Sequence, residues 1–142
     1  MLDIRPVLFV IGIMLAVLAG AMALPALADI AHGDSEWRIF IASAGVTAFV
    51  GIGLMLAART PRMNFNLRQA FLLTTLSWIV VAAFGALPFL LAPLNLTYAD
   101  AYFETMSGLT TTGSTVIVGL DKTSRGILLW RSLLHFIGGI GI

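Results

Sequence analysis

Residues 105–115 read TMSGLTTTGST, with seven hydroxyl side chains in eleven positions and no charge. The segment is a dense run of neutral dipoles with no fixed charge. They suit weak coordination of a cation, in which backbone carbonyls replace part of a hydration shell. Gly113 fits that chemistry, because a residue without Cβ turns its carbonyl at little steric cost. A fixed carboxylate would hold an ion too tightly for fast exit. The competing reading is a Ser/Thr-rich turn packed on a helical bundle, and composition alone leaves both open. Enzyme chemistry has no comparable support. The chain has no cysteine, its seven acids and two histidines lack metal-ligand spacing, and no Ser–His, Asp–Asp or HExxH pattern falls on an apolar segment. No cofactor is expected.

The elements that position this stretch belong to a membrane protein. The 142 residues are 59% hydrophobic and 11% charged, with a mean hydropathy of +1.00. Soluble domains carry about a quarter charged residues. No basic run is present to grip phosphate, and no nucleic-acid partner is expected. Four apolar segments stand out: 7–28, 39–58, 70–92 and 126–142. The first has 22 uncharged residues, about 33 Å of helix against a hydrocarbon core of about 30 Å. A cleaved signal is its rival, since ALPALA precedes Asp29, but signal cores run to only about 7–15 residues. The link after segment one is acidic, whereas the link after segment two carries Arg59, Arg62 and Arg68. Positive residues remain in the cytoplasm, so the N-terminus is expected inside. Lys122 and Arg125 fall on the outer side against that rule, beside Asp121.

Residues 94–126 are neither a span nor an ordinary loop. Thr97 with Asp100 three positions on is a capping-box pattern. Ala99, Tyr102, Phe103, Met106 and Leu109 follow at helical spacing. The spacing predicts a helix over 98–109, about 18 Å long and too short to cross a bilayer, with Gly108 near its stop. Irregular backbone at membrane depth survives only where it is buried in protein or lines a water-filled path. The prediction is therefore a re-entrant hairpin: a short helix dips in, and 110–115 returns. The negative end of the helix dipole would favour a cation there.

Three stretches together carry a family resemblance: YFETMSGLTTTGST, LLWRSLLHFIGGIGI, and GALPF at 85–89. From about residue 67 to 142 the chain resembles the first repeat of the TrkH/KtrB potassium-uptake family, within the Trk/Ktr/HKT superfamily. The resemblance implies an all-α integral membrane fold. Two N-terminal transmembrane helices (1–66, with a cytoplasmic basic linker) precede one helix–re-entrant pore loop–helix repeat (67–142) whose second helix is truncated. It further implies an N-terminal fragment of a longer chain with four such repeats around one pore. A homodimer and a cytosolic TrkA-type nucleotide-binding subunit are the implied partners, in the bacterial plasma (inner) membrane. Potassium is the implied substrate, held by carbonyls at positions matching Thr111, Thr112, Gly113 and Ser114, with Thr110 and Thr115 flanking. Where tetrameric potassium channels have TVGYG, this chain has TTGST. The first glycine is kept at Gly113 and the second is replaced by Thr115. His135 stands where glutamine is the family's usual residue.

Several other residues carry more than one reading. Arg131 lies inside segment four, where a charge is a functional candidate. It either braces the short helix through Glu104 or Asp100, snorkels outward, or gates the ion. Glu104 is read as a buried structural partner more than as a cation attractant. Asp100 and Asp121 are expected at the outer mouth, offering mild, salt-sensitive attraction. Gly138, Gly139 and Gly141 suggest close helix packing, with a hinge as the alternative. Pro88 is expected to kink segment three. Trp37 and Trp130 fit an interfacial belt and Trp78 fits packing, while His32 reads as a solvated loop residue. A non-transporting assembly or sensor module remains the alternative to a cation path.

Overall fold

Backbone polar groups in hydrocarbon must be satisfied within their own segment, which makes helices the default for long apolar stretches. The computed structural model describes residues 3–33, 36–59, 64–92, 96–117 and 125–140, and every regular element among them is an α-helix. α1 (Arg5–Ala21) and α2 (Ala23–Ala31) form one 27-residue apolar span broken at Met22. Pro25, three residues past the break, has no N–H to donate back to Ala21. α3 (Trp37–Ala57) is the second span. α4 (Leu67–Gly85) starts at a capping box in which Gln69 N donates to Asn66 Oδ1 (2.9 Å) and Asn66 N donates to Gln69 Oε1 (3.0 Å). The expected kink at Pro88 is a helix break at Ala86, after which α5 (Leu87–Leu91) completes a 25-residue span. α6 (Tyr98–Leu109) occupies the predicted range, and α7 (Arg125–Ile140) follows.

Small residues let the first two spans touch. A Cβ on Gly12 would lie 2.6 Å from the Gly51 carbonyl oxygen, and one on Gly51 2.9 Å from the Gly12 oxygen. In the full-length protein, Gly51→Val is expected to force the helices apart at a cost of about 1–3 kcal/mol, the usual range for overpacking. Gly45→Val, on the same helix with nothing within 4 Å of its Cβ, is the control. Thermal melting in detergent checks the pair, and equal melting temperatures would refute the close crossing.

α1 also packs on α4, α2 on α3 and α7, and α6 on both α4 and α7. Phe40, Phe89, Trp130 and Leu134 are fully buried between them. At one end of the bundle the Gln69 carboxamide donates to the Asp3 carbonyl, joining the N-terminus to the start of α4. At the other end Gly126 N donates to Asp29 Oδ1 (2.7 Å), joining the end of α2 to the start of α7. The first span is thus fastened at both ends, to α4 and to α7, the helices that pack on α6.

Candidate ion filter

α6 starts where its capping box dictates. Asp100 N donates to Thr97 Oγ1 (3.2 Å) and Thr97 N donates to Asp100 Oδ2 (3.3 Å). Asp100 thus serves as a helix cap at the position where a mouth charge was expected. Asp121, the other expected mouth charge, lies outside the described residues. Two phenols moor the helix to α4: Tyr98 Oη donates to the Ala83 carbonyl (3.0 Å) and Tyr102 Oη to that of Ile79 (3.4 Å).

Glycines bring the backbones close around α6. A Cβ on Gly85 would sit 2.8 Å from Thr105 Cγ2, and one on Gly108 2.9 Å from Leu134 Cβ. One on Gly138 would lie 1.9 Å from the Leu109 carbonyl oxygen. Close packing is therefore the role of Gly138. A Cβ on Gly139 would only touch Thr111, at 3.9 Å, and Gly141 is outside the described residues. Gly108 lies one residue before the end of α6, as expected, and its missing side chain makes room there for Leu134.

Thr111 makes the stop. Its φ of 56° is left-handed, its N–H donates to the Gly108 carbonyl (3.0 Å), and Thr112 N donates to that of Ser107 (2.9 Å). This is a Schellman cap with a β-branched residue where glycine is usual. Such a conformation costs about 1–2 kcal/mol, and outliers of this kind cluster at functional sites. Thr111 Oγ1 donates to the Thr110 carbonyl (2.7 Å), and the Thr110 and Thr112 hydroxyls lie 2.8 Å apart.

The chain then doubles back along α6. Gly113 is also left-handed, with φ 83°. The Ser107 hydroxyl donates to the Ser114 carbonyl (2.7 Å). Glu104 is 1% exposed, and its Oε1 accepts from Thr115 Oγ1, Val116 N (2.6 Å) and Ile117 N (3.3 Å). Its Oε2 accepts from Arg131 Nε at 3.1 Å. Of the three readings of Arg131, this contact fits bracing, with Glu104 and not Asp100 as the partner. Residues 110–116 are exposed. Among the described residues, no donor reaches the carbonyl oxygens of Thr111, Thr112 or Gly113.

Three expectations need correction. Trp130 is no belt residue: it is fully buried, packs edge-on to Phe40 with ring centroids 6.4 Å apart, and its Nε1 donates to the Gly85 carbonyl (3.0 Å). That carbonyl lies in the last turn of α4, where helical acceptors lack intrahelical donors. His32 is not merely solvated, because its Nδ1 lies 2.8 Å from the Ala28 carbonyl and its Nε2 2.7 Å from an Arg125 nitrogen. Asp29, expected only as one acid of the link after segment one, is buried against α7. Ser107 has no sequence signal of its own beyond its place one turn from Glu104 on α6.

Among the described residues, three membrane-long apolar helices within a bundle of α-helices define an all-α integral membrane protein. Within that class the chain belongs to the TrkH cation transport protein family, whose family model matches residues 36–142. The Trk system potassium uptake protein TrkH of Halomonas elongata is 37% identical over 99% of this chain and 30% of its own length. The TrkH of Escherichia coli K12 is 37% identical over 97% of this chain and 29% of its own length. The crystal structure of the potassium transporter TrkH from Vibrio parahaemolyticus superposes with a TM-score of 0.94 at 37% identity, covering 99% of this chain and 30% of that one. This chain therefore spans about 30% of the length of the relatives it matches.

Proposed function

We propose that this chain is the first pore repeat, with its preceding helix pair, of a potassium-uptake protein. The observation that carries the reading is the set of Thr111, Thr112 and Gly113 carbonyls, exposed and without a protein donor among the described residues. These oxygens, with that of Ser114, replace potassium's water. The Ser114 carbonyl accepts one bond from Ser107 and keeps a second lone pair. Thr110 and Thr115 bound the filter, and Glu104 and Arg131 hold its outer limb. The similarity to proteins named as potassium uptake proteins supports the same cargo.

On this reading residues 1–66 form the N-terminal helix pair and 67–142 the first repeat. The remaining repeats of the full-length chain complete the pore, which works as a homodimer with a TrkA-type regulatory subunit in the bacterial plasma membrane. Arg59, Arg62 and Arg68 favour a cytoplasmic N-terminus, and the Gln69–Asp3 bond keeps Asp3 beside the start of α4, next to Arg68 in sequence. The test is growth of uptake-deficient bacteria carrying the complete gene. Restored growth at low potassium is expected. A protein that inserts at normal levels and never rescues growth points instead to a non-transporting assembly or sensor module.

A further inference from the structure

We propose that Asp29, on the first span, is a positioning residue for the filter. It acts by fixing the outer end of α7. The inference rests on the filter reading above and assigns the N-terminal span a part in ion discrimination.

Asp29 is 0% exposed, and its Oδ1 accepts from Gly126 N at 2.7 Å in the first turn of α7. A carboxylate there meets both an amide that has no intrahelical acceptor and the positive end of the helix dipole. Gly126 is shaped for this contact. A Cβ at that position would lie 2.2 Å from Asp29 Oδ2, so any larger residue would displace the carboxylate. Beside this clasp, an Arg125 guanidinium nitrogen lies 2.7 Å from His32 Nε2, and His32 Nδ1 lies 2.8 Å from the Ala28 carbonyl. The end of α2 thus holds two consecutive residues of α7.

Arg131 lies five residues further along α7, about 7.5 Å down the helix axis. It bonds Glu104, which in turn holds Thr115, Val116 and Ile117. A helix is stiff over one and a half turns, so the depth and rotation set at Gly126 are carried to Arg131. Without Asp29, the first turn of α7 loses its anchor at Gly126 and can shift against α2, which loosens the register of the bracing pair. The expected result is a filter of looser geometry and not an absent one.

The experiment uses purified full-length protein in proteoliposomes and measures potassium and sodium uptake per folded molecule. A purely structural role would lower yield without moving the ratio of the two rates. Asp29→Ala is expected to reduce potassium-over-sodium discrimination about tenfold. Asp29→Asn keeps an acceptor but loses the charge-assisted bond, roughly half its strength, and is expected to fall between Asp29→Ala and wild type. Wild-type discrimination in folded Asp29→Ala overturns the proposal. Should Asp29→Ala fail to accumulate, the near-isosteric Asp29→Asn decides, and a ratio equal to wild type overturns it. A wild-type protein that passes neither ion removes the filter reading and this proposal with it, whereas a selective wild type with unaffected variants removes this proposal alone.

Discussion

Gly113→Ser in the full-length protein is expected to cut potassium uptake by about tenfold or more, with close to wild-type amounts of folded protein in the membrane. The two halves of this expectation have different causes. A Cβ at Gly113 meets nothing within 4 Å, so no packing is lost. The φ of 83° is the whole obstacle, and holding an L-residue there costs about 1–2 kcal/mol. The chain escapes that cost by rotating the peptide, which swings the Gly113 carbonyl away from its direction in the native hairpin. A packing hairpin tolerates such a rotation; an ion site built from that oxygen does not. Gly138→Ala supplies the contrast, because its Cβ would lie 1.9 Å from the Leu109 carbonyl oxygen. That variant should fail in folding, and the amount of protein in the membrane should fall with uptake. Potassium-dependent growth, scored beside membrane protein level, separates the two. Wild-type growth of the Gly113→Ser strain at low potassium would end the filter reading.

The sequence made parts of this architecture legible because their signals are local. Thr97 and Asp100 sit three apart, the apolar positions after them recur at helical spacing, and α6 occupies the predicted range. The long uncharged segments announced the spans for the same reason. The misses depended on tertiary contacts. Asp29 and Gly126 are 97 residues apart, and neither an acid in a link nor a glycine at a segment's start signals a cap built across the fold. Trp130 lies near a segment end, where a belt residue is expected, but the broken end of α4 offers its indole a buried carbonyl. Thr111 had no signal at all. β-Branched residues disfavour left-handed backbone, yet Thr111 adopts it where its own N–H bonds Gly108 and that of Thr112 bonds Ser107.

Removing either partner of the buried pair is expected to destabilise the full-length protein, and removing both is expected to separate stability from selectivity. Glu104 has no exposed side-chain surface, whereas Arg131 keeps 16%. In Arg131→Gln, Glu104 Oε2 loses its donor while the carboxylate stays buried; breaking such a pair costs about 3–5 kcal/mol. The residual exposure of Arg131 places this variant near the lower figure. Glu104→Gln leaves the guanidinium without a counter-charge and turns an amide donor or a weaker acceptor toward it. The double variant, Glu104→Gln with Arg131→Gln, contains no stranded charge, so its melting temperature should recover much of the loss. Its potassium-over-sodium discrimination should not recover, because Thr115 Oγ1, Val116 N and Ile117 N then share a neutral oxygen, with hydrogen bonds roughly half as strong as those to a carboxylate. Melting curves in detergent and two-ion uptake on the same preparations test both halves. Wild-type melting and uptake in Arg131→Gln would refute the bracing role. Full discrimination in the double variant would show that the pair holds the fold together without shaping the ion path.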